Sequence, residues 1–247
     1  MADRFTRSRI LLGDDGIRRL AEARVLVVGL GAVGSYATEA LARSGIGNLL
    51  LIDGDNVAES NCNRQLYALS STIGKPKADV ALARVLDINP DCRAESRALF
   101  VNGENVGEVL AWKPDIVVDA IDSLDAKVEL LAACVSAGIP VFSSMGAARK
   151  RNPSLISVAD ISKTSVCPLA SAVRQRLRKM GVKTGITCVF STEPAFPQKD
   201  TPAENDPNSL LSGKRPPLGS LPAITGIFGL NLAHAAMESL LEPFAVR

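Results

Sequence analysis

A glycine-rich turn between an apolar strand and a helix constrains the fold of this 247-residue chain more than any other feature. Residues 25–28 form a short apolar run typical of a buried strand. A GxGxxG motif follows with Gly29, Gly31 and Gly34, and helix-forming residues then continue to Arg43. Glycines at such a turn let the backbone approach a phosphate, and the helix N-terminus adds N–H groups and partial positive charge. The turn therefore predicts a nucleotide-binding site.

Strands and helices alternate through the first half of the chain, as they do in parallel sheets with crossover helices. Further strands are predicted over residues 49–52, 116–120 and 141–144, and helices over residues 35–43, 78–86 and 128–135. Hydrophobic residues make up 47% of the sequence but aromatic residues only 4%, so aliphatic side chains must build the core. That composition suits a sheet that is buried on both faces. We predict a Rossmann-like α/β fold, a mostly parallel sheet with helices on both faces.

The second half has a different pattern. Residues 155–159 and 187–191 resemble strands on either side of a basic helix at 169–180, which predicts a smaller antiparallel C-terminal extension. Seven prolines between residues 194 and 222 predict a mobile loop over about 198–220. We expect one domain over residues 1–247, with a nucleotide-binding core at 1–150 and a substrate-binding extension at 151–247.

The C-terminal segment, residues 221–241, is long and apolar enough to be mistaken for a membrane span. Asn231, His234 and Glu238 interrupt it, however, and the apolar spacing is that of an amphipathic helix. We therefore predict a buried C-terminal helix, with His234 in the core, rather than a segment that enters the membrane.

The cysteines and the single histidine exclude several site types. The five cysteines contain no CxxC pair, so neither a zinc knuckle nor a thioredoxin-type pair is expected. Their odd number and the lack of a signal peptide indicate reduced thiols and a cytoplasmic protein. Any Ser–His or Cys–His catalytic pair would have to use His234.

Charged residues placed after the strands favour a triphosphate over a dinucleotide. The glycine turn alone fits NAD, FAD, S-adenosylmethionine and ATP, and Asp53 after the second strand suits the ribose of each. A triphosphate with Mg²⁺ needs several cations and at least one carboxylate near its oxygens. Arg7, Arg64, Lys77 and Asp122 are the candidates for these roles.

This ordered series resembles the superfamily of ThiF, MoeB and ubiquitin-activating adenylyltransferases over residues 4–147. The resemblance implies a nucleotide site made of Gly29, Gly31, Ala32, Gly34, Asp53, Asp55, Asn61, Arg64, Lys77, Asp122 and Ser123. It implies that Asp53 holds the ribose, that Asn61, Arg64 and Lys77 contact phosphates, and that Asp122 binds or positions Mg²⁺. Arg7 would reach ATP from the partner subunit of a homodimer.

Several runs resemble one branch of that superfamily more closely. They lie at residues 4–7 (RFTR), 39–47, 61–65 (NCNRQ), 87–90, 160–164, 168–170 and 188–193 (CVFSTE). These runs are similar to those of the tRNA threonylcarbamoyladenosine dehydratases. The resemblance implies an ATP-dependent cyclisation of threonylcarbamoyladenosine beside the anticodon, through adenylation of its threonyl carboxylate. No enzyme nucleophile is then needed.

A basic segment fits a nucleic-acid partner. Between Asp160 and Glu193 there are six basic residues and no acidic one. One interpretation is a solvated helix face, and the other is a surface that meets phosphates. On the second interpretation tRNA contacts Lys163, Arg174, Arg176, Arg178 and Lys179.

Three other functions remain open from the sequence. The chain could activate the C-terminal glycine of a ubiquitin-like sulfur carrier, although the absence of CxxC pairs weakens that hypothesis. It could also be an NAD-dependent oxidoreductase or a non-catalytic nucleotide-binding scaffold. A monovalent cation and a sulfur-trafficking partner are further candidates with no site indicated. Cys167 is either a reactive thiol or a partly buried bystander.

Overall fold

The computed structural model describes residues 3–197 and 218–241. The helices are α1 (Thr6–Glu22), α2 (Gly34–Arg43), α3 (Lys77–Ile88), α4 (Val106–Leu110), α5 (Leu124–Ser136), α6 (Pro168–Lys179) and α7 (Pro222–Leu241). The strands are β1 (Arg24–Val28), β2 (Asn48–Ile52), β3 (Arg93–Arg97), β4 (Ile116–Asp119), β5 (Val141–Ser144), β6 (Ile156–Asp160) and β7 (Ile186–Ser191).

The seven strands form one sheet in the order β3-β2-β1-β4-β5-β7-β6. Every pair is parallel except β6 with β7, which confirms the predicted mostly parallel sheet and the antiparallel pair. Because β7 pairs with β5, that antiparallel pair continues the main sheet. Val28 lies level with both Ile52 and Asp119, so β1, β2 and β4 end at the same height. The segments that follow them therefore lie side by side.

Alternation along the strands sends side chains into two separate cores. Val25 and Val27 face a cluster with α2, α3 and α7, whereas Leu26 and Val28 face a cluster with α4, α5 and α6. Successive side chains of a strand point to opposite faces, so each strand contributes to both clusters. The predicted helical layers on both faces are confirmed.

Helix α7 packs closely on α2 through two glycines. A Cβ on Gly229 would lie 2.4 Å from the carbonyl oxygen of Val33, and one on Gly226 would lie 3.3 Å from the ring of Tyr36. Within the described residues α7 is the one helix long and apolar enough to cross a membrane, but Phe228 and Leu232 are fully buried in the core. The prediction of a packed C-terminal helix is confirmed.

One sequence prediction differs from the structure, two elements were not predicted, and one prediction lies mostly outside the described residues. His234 is not in the core, because its side chain is 67% exposed and lies 4.0 Å from Glu238. Helix α1 and strand β3 were not predicted: α1 is kinked at Gly13, and β3 is a polar edge strand in which no residue is fully buried. The predicted loop over 198–220 lies outside the described residues except for 218–220.

We expect Gly229→Ala to lower the free energy of unfolding by about 1–3 kcal/mol, because the new methyl group would force α7 away from α2. Gly107→Ala in α4 is the matched control, since its added Cβ meets nothing within 4 Å. It should be neutral or stabilise by about 0.5–1 kcal/mol. Chemical denaturation measures both, and a Gly229→Ala protein as stable as the wild type would contradict this packing.

Candidate functional site

The glycine turn brings three backbone segments into direct contact. A Cβ on Gly34 would lie 1.7 Å from the carbonyl oxygen of Gly29, and one on Gly29 would lie 2.7 Å from that of Ala120. Gly29 also has a φ of 90°, which favours glycine. A Cβ on Gly31 would meet only the Gln65 side chain, 3.7 Å away. The turn is thus closed beneath and open above, as the predicted approach of a phosphate to the backbone requires.

Asp53 fixes the turn from the end of β2. Its Oδ2 accepts a hydrogen bond from the N–H of Leu30 at 2.7 Å, and its Oδ1 accepts one from the N–H of Asp55 at 2.8 Å. A carboxylate offers about four acceptor positions, so two remain for hydroxyl groups of a ligand. The half-buried Asp53 can therefore support the loop and bind a ribose at the same time.

Lys77 is a buried cation at the start of α3. Its side chain is 7% exposed, and its Nζ donates to Oδ2 of Asp55 at 2.8 Å. The N–H of Lys77 also donates to the carbonyl oxygen of Asp55 at 2.9 Å. An ammonium group has three donors, and one is used here. The remaining donors can bind an anion beside the glycine turn.

Arg64 and Asn61 lie in the turn that follows β2. Asn61 accepts the N–H of Ala58 through Oδ1 at 3.1 Å, which leaves its side-chain NH₂ without a partner among the described residues. The half-buried Arg64 donates from Nη1 to the carbonyl oxygen of Ser60 and to Oδ1 of Asn63, at 2.9 and 2.8 Å. Its other guanidinium nitrogens make no hydrogen bond to described residues. Both side chains thus keep donors for phosphate oxygens.

Asp122 and Ser123 are exposed where β4 leads into α5. Neither side chain has a hydrogen-bond partner among the described residues. The N–H of Ile121 donates to Oδ1 of Asp119 at 3.0 Å, and this bond holds the turn that presents Asp122. A free carboxylate at this edge of the sheet is a suitable Mg²⁺ ligand.

A buried charge pair behind this turn is a feature that the sequence did not reveal. Lys127 and Asp119 are both 0% exposed, with Nζ and Oδ2 2.5 Å apart, and the Ser143 hydroxyl donates to the same oxygen at 2.6 Å. The signal for it was a lysine eight residues after an aspartate that ends a strand, in the first turns of the helix that follows. The pair connects β4, β5 and α5 directly under the turn that carries Asp122.

Arg7 lies away from this site in its own chain. Its neighbour Phe5 contacts Gly45, and Arg4 donates to the carbonyl oxygen of Ile88 at 3.2 Å. Both contacts are at the edge where the strands begin, and a five-residue strand separates the two edges by about 15 Å. The exposed Arg7 side chain makes no hydrogen bond or ion pair to described residues. The other predicted residues, at 29–34, 53–77 and 122–123, surround the carboxyl edge.

The predicted basic surface is smaller than the sequence indicated. Arg174 is half-buried and donates to the carbonyl oxygen of Thr164 at 2.9 Å, and Arg176 forms an ion pair with Asp125. The charge of Arg176 is therefore partly offset by Asp125, whereas Arg174 keeps its charge but has a donor occupied by Thr164. The residues of the set that are exposed and without a partner in the described part of the chain are Lys163, Arg178 and Lys179.

Four of the five cysteines are buried, and Cys62 alone is exposed. Cys167 is 3% exposed, which agrees with a bystander role and disfavours a reactive one. Burial raises the pKa of Cys92 to about 11 and that of Cys134 to about 12. Among the described residues no group of three or more His, Cys, Asp or Glu side chains is placed to hold a metal.

The fold and the site together define an adenylyltransferase-like nucleotide-binding protein of the ThiF type. A match to the ThiF family spans residues 5–245, and the chain belongs to this family. It is 41% identical to the tRNA threonylcarbamoyladenosine dehydratase of Bacillus subtilis over 247 residues, which cover 98% of this chain and 96% of the relative.

Two further comparisons separate branches of the family. The crystal structure of the Escherichia coli tRNA threonylcarbamoyladenosine dehydratase in complex with ATP superimposes with a TM-score of 0.87 at 36% identity, covering 98% of this chain and 95% of that one. The Escherichia coli sulfur carrier protein ThiS adenylyltransferase is 35% identical over 144 residues, which is 57% of this chain and 57% of the relative. The similarity to the dehydratases therefore includes the second half of the chain.

We expect Lys127→Met to lower the free energy of unfolding by about 3–5 kcal/mol, since it leaves the carboxylate of Asp119 buried without its cation. Lys179→Met on the exposed surface is the control and should change stability by less than about 0.5 kcal/mol. Denaturant titration at neutral pH measures both variants. Equal stabilities of the two proteins would show that the buried pair does not hold this part of the sheet.

Proposed function

We propose that this protein uses ATP to convert threonylcarbamoyladenosine in tRNA to its cyclic form, by adenylation of the threonyl carboxylate and loss of water. The observation that carries the proposal is the gathering of the glycine turn, Arg64, Lys77 and Asp122 at one edge of the sheet. The ATP complex of the similar Escherichia coli dehydratase supports it. A cytoplasmic location suits such a reaction.

The residues present fit ATP. The open side of the glycine turn and the N-terminus of α2 offer N–H groups to the phosphates, and Asp53 keeps acceptors for the ribose hydroxyls. Lys77 supplies a buried positive charge, and Arg64 a second one with free donors. A dinucleotide has two phosphates and would not need both cations.

The same edge fits a divalent metal that accompanies the phosphates. Asp122 offers an unpaired carboxylate, and phosphate oxygens and water would complete an oxygen shell of the kind that Mg²⁺ takes. When bound, Mg²⁺ neutralises charge on the phosphate oxygens. A site for the monovalent cation stays a prediction without assigned residues.

The reaction follows from placing a carboxylate beside the α-phosphate. A carboxylate oxygen bonds to the α-phosphorus and pyrophosphate leaves with the P–O electron pair, while Arg64 and Lys77 stabilise the charge on the transferring phosphoryl group. The urea nitrogen then bonds to the activated acyl carbon, loses its proton, and AMP leaves with the former carboxylate oxygen. Ring closure within one molecule has a large effective-molarity advantage. The net change in the substrate is the loss of one water.

Contacts to the tRNA are proposed on the face of α6 and the turn before it. Lys163, Arg178 and Lys179 are exposed cations without partners in the described chain, and such side chains bind phosphates independently of sequence. Arg174 and Arg176 contribute less in this proposal, because Thr164 and Asp125 already hold them. A sulfur-trafficking partner stays a prediction, and the burial of Cys167 gives it no support.

We also propose a homodimer in which Arg7 completes the site of the partner subunit. Arg7 lies at the far edge of its own chain, so it cannot reach its own glycine turn. On the same helix Ile10 is 81% exposed and Leu11 is 83% exposed. An apolar pair beside an unpaired arginine suits a surface that a second copy covers.

Activation of a sulfur carrier is the alternative. It would use the same ATP site, and the similarity to the ThiS adenylyltransferase covers 57% of this chain. The two functions differ in the molecule that is modified, so the experiment measures whether the RNA changes. Purified tRNA that carries threonylcarbamoyladenosine is incubated with the protein and ATP, and its nucleosides are analysed by mass spectrometry. Loss of one water supports the proposal, and unchanged tRNA together with an adenylated carrier protein would replace it by the alternative.

We expect Arg64→Ala, Lys77→Ala and Asp122→Ala each to lower kcat by about 100-fold or more, because each removes a charge that acts on the phosphates or their metal. Lys75→Ala is the matched control, since Lys75 is an exposed lysine two residues before Lys77. Turnover is measured at saturating ATP, and circular dichroism verifies folding. Wild-type turnover in any of the three variants would remove that residue from the mechanism.

Mixing two inactive variants tests the role of Arg7. If Arg7 acts in the partner's site, Arg7→Ala and Lys77→Ala subunits form a heterodimer with one complete site. Random exchange at equal concentrations should then restore about one quarter of the wild-type turnover. If Arg7 acts in its own chain, heterodimers that are verified by native mass spectrometry would stay inactive.

A further inference from the structure

A second cleft opens at the carboxyl edge of the sheet, beyond β5. It has a volume of about 430 Å³ and is lined by residues 149–151, 196–197 and 219–221. None of these residues belongs to the predicted nucleotide site or to the predicted basic surface. A cleft of this size can hold a ligand about as large as one nucleotide.

The cleft contacts the loop that carries Arg64. The side-chain NH₂ of Asn63, next to Arg64, donates to the carbonyl oxygen of Ser220 at 3.2 Å. The turn at 149–151 follows β5, whose neighbour β4 leads to Asp122. The Asn63–Ser220 contact therefore joins the cleft to the segment that carries Arg64.

Three consecutive cations form one wall of the cleft. Lys150 is 3% exposed and donates from Nζ to the carbonyl oxygen of Glu193. Arg149 donates from Nε to the carbonyl oxygen of Phe196 at 2.9 Å. The guanidinium group of Arg151 has no hydrogen bond or ion pair to described residues. Lys150 is thus buried and bonded, whereas the exposed guanidinium of Arg151 keeps its donors for an anionic ligand.

Glu193, the acidic residue beside these cations, is hydrogen-bonded to the backbone. The Glu193 carboxylate accepts the backbone N–H groups of Arg151 and Asn152 at 2.9 and 3.0 Å. The bonds from Asn152 and Arg151 hold the pKa of Glu193 below its usual value. Glu193 thus fixes the backbone of the wall and interacts electrostatically with Lys150 and Arg151, but it forms no ion pair with the guanidinium of Arg151 among the described residues.

Phe196 forms an aromatic platform in the same cleft. The guanidinium of Arg151 stacks over its ring, 4.8 Å from the ring centre, yet the side chain is 48% exposed. Its backbone is fixed, since the N–H of Phe196 donates to the carbonyl oxygen of Arg149 at 2.8 Å. Arg149 itself has a φ of 60°, a costly conformation for a residue with a side chain. Backbone strain of this kind concentrates at functional sites.

We propose that this cleft binds the single-stranded RNA that carries the acceptor nucleoside, with a base stacked on Phe196 and Arg151 paired with a neighbouring phosphate. Proteins bind unpaired RNA bases by stacking them on aromatic rings and arginine planes, and they bind the backbone with cations. The stacked pair of Phe196 and Arg151 offers both an aromatic ring and a cation. The inference rests on the proposed function, because it places the acceptor of that reaction beside the ATP site.

The test measures the affinity of the full-length protein, with a non-hydrolysable ATP analogue, for a fluorescent anticodon stem–loop RNA. Phe196→Ala should weaken binding by about 5- to 100-fold, the range for loss of one stacked base. Arg151→Glu should weaken it by at least about 10-fold and reduce the salt dependence. Phe196→Trp should retain the affinity, and a fully paired RNA should lose little affinity on Phe196→Ala.

Arg93→Glu is the matched control, with the same charge change on an exposed arginine at the opposite edge of the sheet. The affinity of every variant for the ATP analogue should stay within about twofold of the wild type, since none of these residues contacts the glycine turn. If Phe196→Ala and Arg151→Glu both bound RNA with wild-type affinity, the proposal that this cleft binds RNA would be wrong. The proposed function would not be affected. A wild-type protein that binds no RNA would overturn both.

Discussion

The structure depends on the close approach of three backbone segments at the end of β1. Gly29 touches Ala120 and Gly34 touches Gly29, so closely that a single methyl group has no space at either position. This contact places the N-terminus of α2 beside the ends of β1 and β4, and a helix N-terminus carries partial positive charge. Asp53 fixes the top of the same turn through the N–H of Leu30. Nucleotide binding is thus a consequence of how the sheet and its first crossover helix pack.

Buried charge supports this arrangement from below. A lysine and an aspartate without exposure are costly to bury, and here they pair with each other and both contact the Ser143 hydroxyl. The other oxygen of Asp119 holds the N–H of Ile121, so the pair also sets the turn that presents Asp122. The Asp119 carboxylate therefore connects the buried charge pair to the turn that presents Asp122.

The sequence predicted those helices and strands whose local apolar pattern matches their burial in the fold. Apolar runs and the glycine motif located β1, β2, α2 and the turn between β1 and α2, since these elements are buried and regular. The polar edge strand β3 has no such pattern. His234 was misassigned because an apolar composition does not tell which side of a helix faces water, and the helix turns it outward.

Side-chain partners explain the remaining differences at the site. Arg174 and Arg176 looked like free cations in the sequence, but Thr164 and Asp125 come to them from other segments. The cleft brings together Arg149–Arg151 and Phe196, which are more than forty positions apart in the sequence. No local sequence motif therefore predicts it. Ser143 meets the Lys127–Asp119 pair through the register of β4 with β5, which a single sequence does not give. Long-range contacts of this kind set charge and shape at a site, and single-sequence patterns do not encode them.

The central claim is that the acceptor carboxylate attacks the α-phosphorus of ATP, and an isotope trace tests it directly. Threonylcarbamoyladenosine in tRNA is prepared with ¹⁸O in the threonyl carboxylate and incubated with the protein and unlabelled ATP. Mass spectrometry should then find one ¹⁸O atom in the AMP for each cyclised nucleoside. Label in inorganic phosphate, or cyclic product with unlabelled AMP, would contradict adenylation of the carboxylate.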